Sequence, residues 1–467
     1  MRRKYKPTRR DVLKFGAMAM AAAAADQIGW PTIASASPQA VPRGTARNCI
    51  FIELPGAISP MECWDLKETR ETPKDLDIEH VVGDLYMSKT LFPNYADWAP
   101  RTTFVRSMRA PELAHFTGQY HTQTGRSLNA AVAKEIPAFG SVVAAELDHE
   151  RRDKDAFPTY MSLGLGKARV GAIGAGFFPP QFTGIDLDPN SAFDSFGNSK
   201  PGETADQSLV DRYDALMKLS EVSPAVRASL GDKASDYRAF YENAYRILDD
   251  ARWKKVFEVS EEDLARYANG FGKGCILARN IIAADAGTRL VYVIDGRQPW
   301  DHHSFIFDRT KRSNHYVTCL AWDNAFSNLI KDLDSMPGVE PGKTLLDETL
   351  VVAASEFGRM PYMNNVEGRD HYGETFTTLF IGGGVKKENQ IIGATNEDCS
   401  KCIDPGWKHS EQPAMDNVIG TVYSALGIDW TKRYENTPSG RAYAYVQTAP
   451  IGGGEMLSSD AIDEIFV

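Results

Sequence analysis

Two short apolar runs, each next to a group of charged residues and glycines, most constrain what this chain can fold into. The first run, Thr349 to Ala354, is rich in β-branched residues and is followed by Ser355-Glu356-Phe357-Gly358-Arg359. The second run, Thr377 to Ile381, follows Asp370-His371 and is closed by the glycines at 382–384. Continuous apolar runs of this length predict strands that are buried on both faces of a parallel sheet. Ligands bind outside the carboxyl ends of such strands, so the neighbouring charged residues form a candidate site.

The rest of the chain alternates between predicted strands and predicted helices. Short apolar runs bounded by turn residues predict strands at 49–54, 102–108, 159–163 and 289–294. Apolar residues at helical spacing predict helices over 137–147, 274–286, 316–336 and 417–426. We also expect the polar segment 115–126 to open with a helix. This alternation predicts an α/β fold with a mainly parallel central sheet flanked by helices.

The N-terminus carries a predicted export signal. Arg9-Arg10 precedes an alanine-rich apolar run at 15–25, and Ala34-Ser35-Ala36 suits a signal peptidase. The pattern predicts a twin-arginine signal peptide over residues 1–36, and therefore a periplasmic or extracellular protein. No other stretch is apolar over the roughly 18 residues that a membrane span needs, so we expect no span after the signal is cleaved.

The remaining residues, 45–467, are predicted to form a single domain with an insert at about 164–270. The Gly/Pro/Phe-rich part of this insert, 164–187, has no clear period and predicts a loop that covers the sheet edge or the site. Its second part, 208–268, has apolar residues at helical spacing among many charges, which predicts surface helices.

Charge and cysteine content exclude some classes of function. The formal net charge of −10 and the pI near 5.5 argue against nucleic acid as a partner, because neutralising phosphates requires a basic face. Of the six cysteines, Cys399 and Cys402 could close a small disulfide in an oxidising compartment. A zinc site of the paired-cysteine type would need a second pair, so we interpret this pair as structural or incidental.

Three predicted strand ends carry side chains that bind metals. Asp301 and His303 follow the strand at 289–294, Glu356 follows the strand at 349–354, and Asp370-His371 precedes the last run. Carboxylate oxygen and neutral imidazole together suit zinc, manganese or iron. The alternative is that these groups satisfy one another by hydrogen bonds and ion pairs without any metal.

The order of several motifs resembles a known family. These motifs are the twin-arginine signal, HFTGQYHTQTGR, LARNIIAADAGTRLVYV, WDHH, SEFGR, GRDH and FIGGG. Together they resemble the bacterial family catalogued as domain of unknown function 1501, which is assigned to the alkaline phosphatase and sulfatase superfamily. The resemblance runs over nearly all of the mature chain and implies an alkaline phosphatase-like core.

The superfamily pattern also implies a site, and this chain departs from that pattern. The resemblance assigns Asp301, His303, Glu356 and His371 as ligands that have been kept. The chain has Pro55-Gly56 where the superfamily places Asp-Gly, and it has His115 where the superfamily places a Thr, Ser or Cys nucleophile. The chain also has Ser355-Glu356-Phe357-Gly358 where the superfamily has Ala-Asp-His-Gly, so an imidazole is lost there. Because a carboxylate and a histidine of the two-ion cage are thus missing, we expect one divalent ion (zinc, manganese or iron).

The resemblance then implies a metal-dependent hydrolase of sulfate or phosphate esters, with a small molecule or glycan as substrate. His115 would act as general base or acid, and Arg359 or Arg369 would bind an anionic oxygen pair unless each is a structural partner of Glu356 or Asp370. Ser59 and Thr117 are further candidates for binding substrate. The rival hypothesis is a non-catalytic member of the superfamily that binds a carbohydrate, an anion or a partner protein, since the nucleophile is replaced.

Overall fold

One eight-stranded sheet, parallel except for a single strand, organises the chain. The computed structural model describes residues 40–193, 246–268, 270–388, 390–435, 437–446, 450–451, 455–456 and 458–467. The sheet strands, numbered in chain order, are β1 Asn48–Glu53, β2 Thr103–Met108, β3 Tyr160–Leu163, β4 Ile185–Leu187, β5 Leu290–Ile294, β6 Thr349–Ala354, β7 Phe376–Ile381 and β8 Gln390–Ile392.

The order of strands across the sheet is β8-β2-β7-β6-β1-β5-β3-β4. Strand β1 lies in the middle and pairs in parallel with β5 on one side and β6 on the other. Strand β7 is antiparallel to both of its neighbours, β6 and β2. The prediction of an α/β fold with a mainly parallel sheet is therefore confirmed.

The reversal of β7 follows from the segment that joins it to β6. Within that segment Gly358–Arg359 pairs antiparallel with His371–Tyr372, so the chain turns back on itself before it re-enters the sheet. Because β7 runs in the opposite direction, its amino end lies at the same edge as the carboxyl ends of the parallel strands. His371, which precedes β7, therefore lies at the same edge of the sheet as Glu356, which follows β6.

Helices cover both faces of the sheet. They are α1 His115–Thr124, α2 Phe139–Glu146, α3 Pro189–Ala192, α4 Ala251–Phe257, α5 Glu261–Tyr267, α6 Gly270–Ala283, α7 His315–Ser335, α8 Leu345–Glu348 and α9 Met415–Ala425. Four further two-stranded pairs join Ile78–Val82 with Leu85–Ser88, Ala394–Thr395 with Cys402–Asp404, Arg433–Tyr434 with Tyr443–Ala444, and Pro450–Ile451 with Glu455–Met456.

The central strands are fully buried, because alternate side chains enter separate cores on the two faces of the sheet. From β1, Ile50 and Ile52 pack into the core under α6 and α7, where Trp322 and Phe326 of α7 also lie. The alternate residue Phe51 packs into the opposite core, together with side chains of α2 and α9. This two-sided burial explains why the sequence shows continuous apolar runs rather than alternation.

Local signals explain where several helices begin and end. The side chain of Asn314 accepts a hydrogen bond from the Val317 amide and caps the first turn of α7. Thr344 and Asp347 form a reciprocal capping box at the start of α8. Helix α1 ends at Gly125, which has a φ of +65° that glycine adopts without strain.

The structure corrects some of the sequence predictions. The loop predicted for 164–187 is wrong for Ile185–Leu187, which pairs in parallel with β3 as the edge strand β4. A three-residue strand is too short to show a period, and the same reason explains why β8 was not predicted. The predicted signal peptide lies outside the described residues, as does most of the helical segment predicted at 208–268.

Two further observations concern the cysteines and the membrane. All six cysteines are free thiols, and Cys399 and Cys402 are not joined by the disulfide that their spacing would allow. The Cys399 thiol instead donates to the backbone oxygen of Asp65 at 3.2 Å. Within the part of the chain that the structure describes, no helix is long and apolar enough to cross a bilayer.

Candidate functional site

Four side chains converge at the carboxyl edge of the sheet. His115 opens α1, Asp301 and His303 lie on the segment after β5, and His371 precedes β7. One potential ligand atom from each side chain lies within 4.8 Å of the other three. We call these four residues the His/Asp cluster.

The cluster is built around one oxygen of Asp301. Its Oδ1 lies 3.0 Å from Nε2 of His303, 3.2 Å from Nε2 of His115 and 3.5 Å from Nε2 of His371. The Nε2 atoms of His303 and His371 are 2.9 Å apart. Two imidazole nitrogens at this distance repel each other if both offer a lone pair, so a proton or a cation must lie between them.

The other ring nitrogen of each histidine has a partner of its own. Nδ1 of His115 lies 2.7 Å from Oε1 of Glu356, and Nδ1 of His303 lies 2.7 Å from Oδ1 of Asp370. Nδ1 of His371 lies 2.7 Å from the backbone oxygen of Leu113. Since each acceptor holds the proton on Nδ1, all three Nε2 atoms can offer lone pairs to the same point.

Arg359 holds the Asp301 carboxylate in place on the buried side of the cluster. Its guanidinium donates to Asp301 Oδ1 at 2.6 Å and to the backbone oxygens of Ala57, Arg369 and Gly56. The Arg359 side chain is only 1% exposed. It therefore cannot reach a ligand in solvent without giving up these bonds.

The close approach of the backbone behind Asp301 requires glycine at position 56. Gly56 has a φ of +104°, and a Cβ there would lie 2.5 Å from the Asp301 nitrogen. The Gly56 amide also donates to Glu356 Oε1 at 2.9 Å, so the turn after β1 holds the acceptor of His115. These contacts give a structural reason for glycine at position 56.

Burial and charge together determine the protonation of the cluster. Burial alone would raise the pKa of Asp301, but hydrogen bonds with His115, His371 and Arg359 hold it well below the usual range. Burial alone would lower the pKa of His115, but the carboxylates of Asp301 and Glu356 outweigh burial and raise it to about 9. The cluster without an ion thus carries a proton at the place that a cation would take.

The geometry fits one small divalent ion. An ion with four ligands at about 2.0–2.1 Å in tetrahedral geometry holds those ligands roughly 3.3 Å apart. The separations of 3.0, 3.2 and 3.5 Å around Asp301 Oδ1 bracket that value. Nε2 of His115 is also buried and faces Asp301 Oδ1 at 3.2 Å, so it is placed to act as a ligand of the same ion.

Three of the predicted substrate-binding or anion-binding side chains are engaged elsewhere. Ser59 donates to Glu62, and the fully buried Arg369 pairs with Glu62 at 2.6 Å and donates to the backbone oxygen of Met360. Thr117 is half-buried, and its hydroxyl donates to a backbone oxygen of its own helix turn at 3.1 Å. Neither arginine pairs with Glu356 or Asp370, contrary to the structural alternative considered from the sequence.

A family model decides the classification of this chain. The model described as "Protein of unknown function (DUF1501)" matches residues 46–449. The chain belongs to this family. The match includes every member of the His/Asp cluster, and it confirms the resemblance inferred from the motifs.

Comparison of the fold with solved structures gives distant similarities. A protein in the alkaline phosphatase superfamily from Vibrio parahaemolyticus has 11% identity and a TM-score of 0.39, with 84% of this chain and 70% of that chain covered. The PsFucS1 sulfatase from Pseudoalteromonas sp. has 8% identity and a TM-score of 0.37, with 82% and 68% covered. The lipoteichoic acid synthase LtaP from Listeria monocytogenes has 10% identity and a TM-score of 0.36, with 84% and 76% covered. No curated protein matches the chain.

Other residues of the site could not have been found from sequence patterns. Phe357 stacks against the rings of His115 and His371, with centroids 5.1 and 4.6 Å away, and limits their rotation. The backbone oxygen of Leu113 carries no sequence signal at all. The Phe between Glu356 and Gly358 is visible in the motif, but nothing in its spacing indicates contact with a histidine.

Proposed function

We propose that this protein is an exported, metal-dependent hydrolase of sulfate or phosphate esters that uses a single divalent ion. The observation that carries the proposal is the convergence of three Nε2 atoms on Asp301 Oδ1. In this proposal His115 is a ligand together with Asp301, His303 and His371, whereas Glu356 and Asp370 orient imidazoles. The sequence signals Arg9-Arg10 and Ala34-Ser35-Ala36 support export.

For catalysis the ion would have to take an ester oxygen as a further ligand beside the four side chains, and it would supply Lewis acidity there. The protein residues hold the ligand atoms in place. Glu356 and Asp370 keep the protons of His115 and His303 on Nδ1, and Arg359 neutralises Asp301 on the side away from solvent. The His303 side chain is 44% exposed, so an ester can approach the cluster from that side.

The geometry of the cluster differs from that of a site with a hydroxyl nucleophile. Ser59 and Thr117 both direct their hydroxyls to other acceptors, as described above. Water is therefore the nucleophile that we propose. Small-molecule and glycan esters are the substrates to screen, because the exposed side of the cluster is open to solvent.

The second candidate function is a non-catalytic binding protein whose metal site is structural. Four protein ligands are typical of closed structural zinc sites, whereas catalytic sites usually have three and an open position. The four protein ligands favour the non-catalytic binding protein, and activity measurements distinguish it from the hydrolase.

The test is metal content and esterase activity of protein purified from its native export route without added metal. We expect about one zinc, manganese or iron per cluster, and hydrolysis of 4-nitrophenyl sulfate or phosphate that a chelator abolishes. His303→Ala and His371→Ala should each remove the same ion, whereas His149→Ala, on an exposed turn, is the matched control. Ion binding without hydrolysis of either ester class would support the binding protein, and no ion at the cluster would refute both metal-based functions.

A further inference from the structure

A second group of metal-binding side chains lies wholly inside the protein. Cys63 Sγ is 3.3 Å from Nε2 of His315 and 4.0 Å from Sγ of Cys319. All three ligand atoms lie within 4.8 Å of one another, and each residue is at most 1% exposed. We call these three residues the Cys/His group.

Two elements of the fold bring this group together. His315 and Cys319 are four residues apart on α7, so they lie on the same face of the helix. Cys63 follows the short 3-10 turn Pro60–Glu62 after β1. The sequence separation of more than 250 residues explains why no local spacing indicates the group.

The separations fit a d10 cation. Two sulfurs at about 2.3 Å from one ion lie roughly 3.8–4.0 Å apart in tetrahedral or trigonal geometry. The observed distance of 4.0 Å between the sulfurs is at the upper end of that range. A disulfide would instead require the two sulfurs to approach to about 2.05 Å.

Charge favours zinc over other soft ions. A fully buried site tolerates little net charge, because removing an uncompensated charge from water is costly. One Zn²⁺ with two thiolates and a neutral imidazole is neutral overall, and the two thiol protons leave to solvent as the ion binds. Glu62, the carboxylate that precedes Cys63, is already paired with Arg369 at 2.6 Å and adds no net charge to this balance.

We propose that Cys63, His315 and Cys319 form a buried, three-coordinate Zn²⁺ site, separate from the His/Asp cluster. The ion ties the segment after β1 to the first turns of α7. The His315 ring also packs edge-on against Trp300 and His302, with centroids 6.1 and 5.8 Å away. The site therefore supports the segment that presents Asp301 and His303.

The experiment uses full-length protein exported and purified without affinity metals. X-ray absorption at the zinc edge should show sulfur neighbours at about 2.3 Å, and Co²⁺-exchanged protein should show a sulfur-to-cobalt charge-transfer band. Both signals should persist in His303→Ala, which alters only the His/Asp cluster, and in Cys275→Ser, a matched change at another fully buried cysteine. They should vanish in Cys63→Ser and Cys319→Ser.

Several outcomes would overturn the proposal. Folded wild-type protein without a sulfur-ligated metal refutes it whether or not the variants fold. A Cys63–Cys319 disulfide found by mass spectrometry of the non-reduced protein refutes it as well, and so does exclusive binding of copper. Because the readout is sulfur ligation, it is independent of whether the His/Asp cluster binds an ion or hydrolyses esters.

Discussion

Gly118 keeps helix α1 close enough to Glu356 for His115 to reach the His/Asp cluster. A Cβ at position 118 would lie 2.8 Å from Cβ of Glu356, 3.1 Å from its Cγ and 3.3 Å from Cδ1 of Phe357. Ordinary contacts of this kind begin at 3.4 Å, so full relief of the clash in Gly118→Ala opens a gap of about 3.4 − 2.8 = 0.6 Å. His115 lies one helical turn away and moves with α1.

The displacement is larger than metal coordination tolerates. Ligand distances in a metal site are held to roughly ±0.2 Å, so a shift of 0.6 Å in α1 should displace His115 from the ion. We expect the affinity for Zn²⁺ to fall at least about tenfold. Stability should change less, because overpacking costs about 1–3 kcal/mol while Gly→Ala in a helix returns about 1 kcal/mol.

Competition with a fluorescent zinc chelator would measure the affinity, and urea unfolding of the metal-free protein would measure the stability. The matched control is Gly270→Ala at the start of α6, where the nearest atom to the new Cβ is 3.6 Å away in a side chain. Unchanged zinc affinity in a folded Gly118→Ala variant would refute the assignment of His115 as a ligand. Equal loss in both variants would show that the effect does not depend on the contact with Glu356.

Three further predictions concern buried charges. Glu356→Gln keeps an oxygen that accepts a hydrogen bond from His115 but removes the negative charge. Zinc affinity, measured by chelator competition, should therefore fall about 10–100-fold. An unchanged affinity would contradict the role of Glu356 in orienting His115. Arg359→Lys cannot reproduce the forked contacts with Asp301 and nearby backbone oxygens. Urea unfolding should therefore show that the free energy of unfolding falls by about 3–5 kcal/mol, and a fall below about 1 kcal/mol would argue against this role of Arg359. Burial raises the pKa of Asp295 from 3.8 to about 7. The free energy of unfolding should therefore fall by about 4 kcal/mol as the pH rises between these two values, and Asp295→Asn should remove this pH dependence. Identical pH profiles of unfolding for the variant and the wild type would refute the prediction.

Much of the fold was predictable because the strands are short apolar runs with clear ends. Thr349–Ala354 was predicted residue by residue, and α7 differs from its prediction by one residue at each end. The direction of β7 was not predictable, because apolar content is the same in parallel and antiparallel strands. Its direction depends on the pairing of Gly358–Arg359 with His371–Tyr372.

The candidate site was likewise predictable from the sequence only in part. The sequence by itself determined which side chains could bind a metal, because Asp301, His303 and His371 stand next to predicted strands and are chemically suited to it. Only the tertiary structure decided that His115 joins them and that Glu356 lies behind it. A ligand set gathered from three separate segments depends on the distances that the sheet and α1 impose, and no local spacing in the chain encodes those distances.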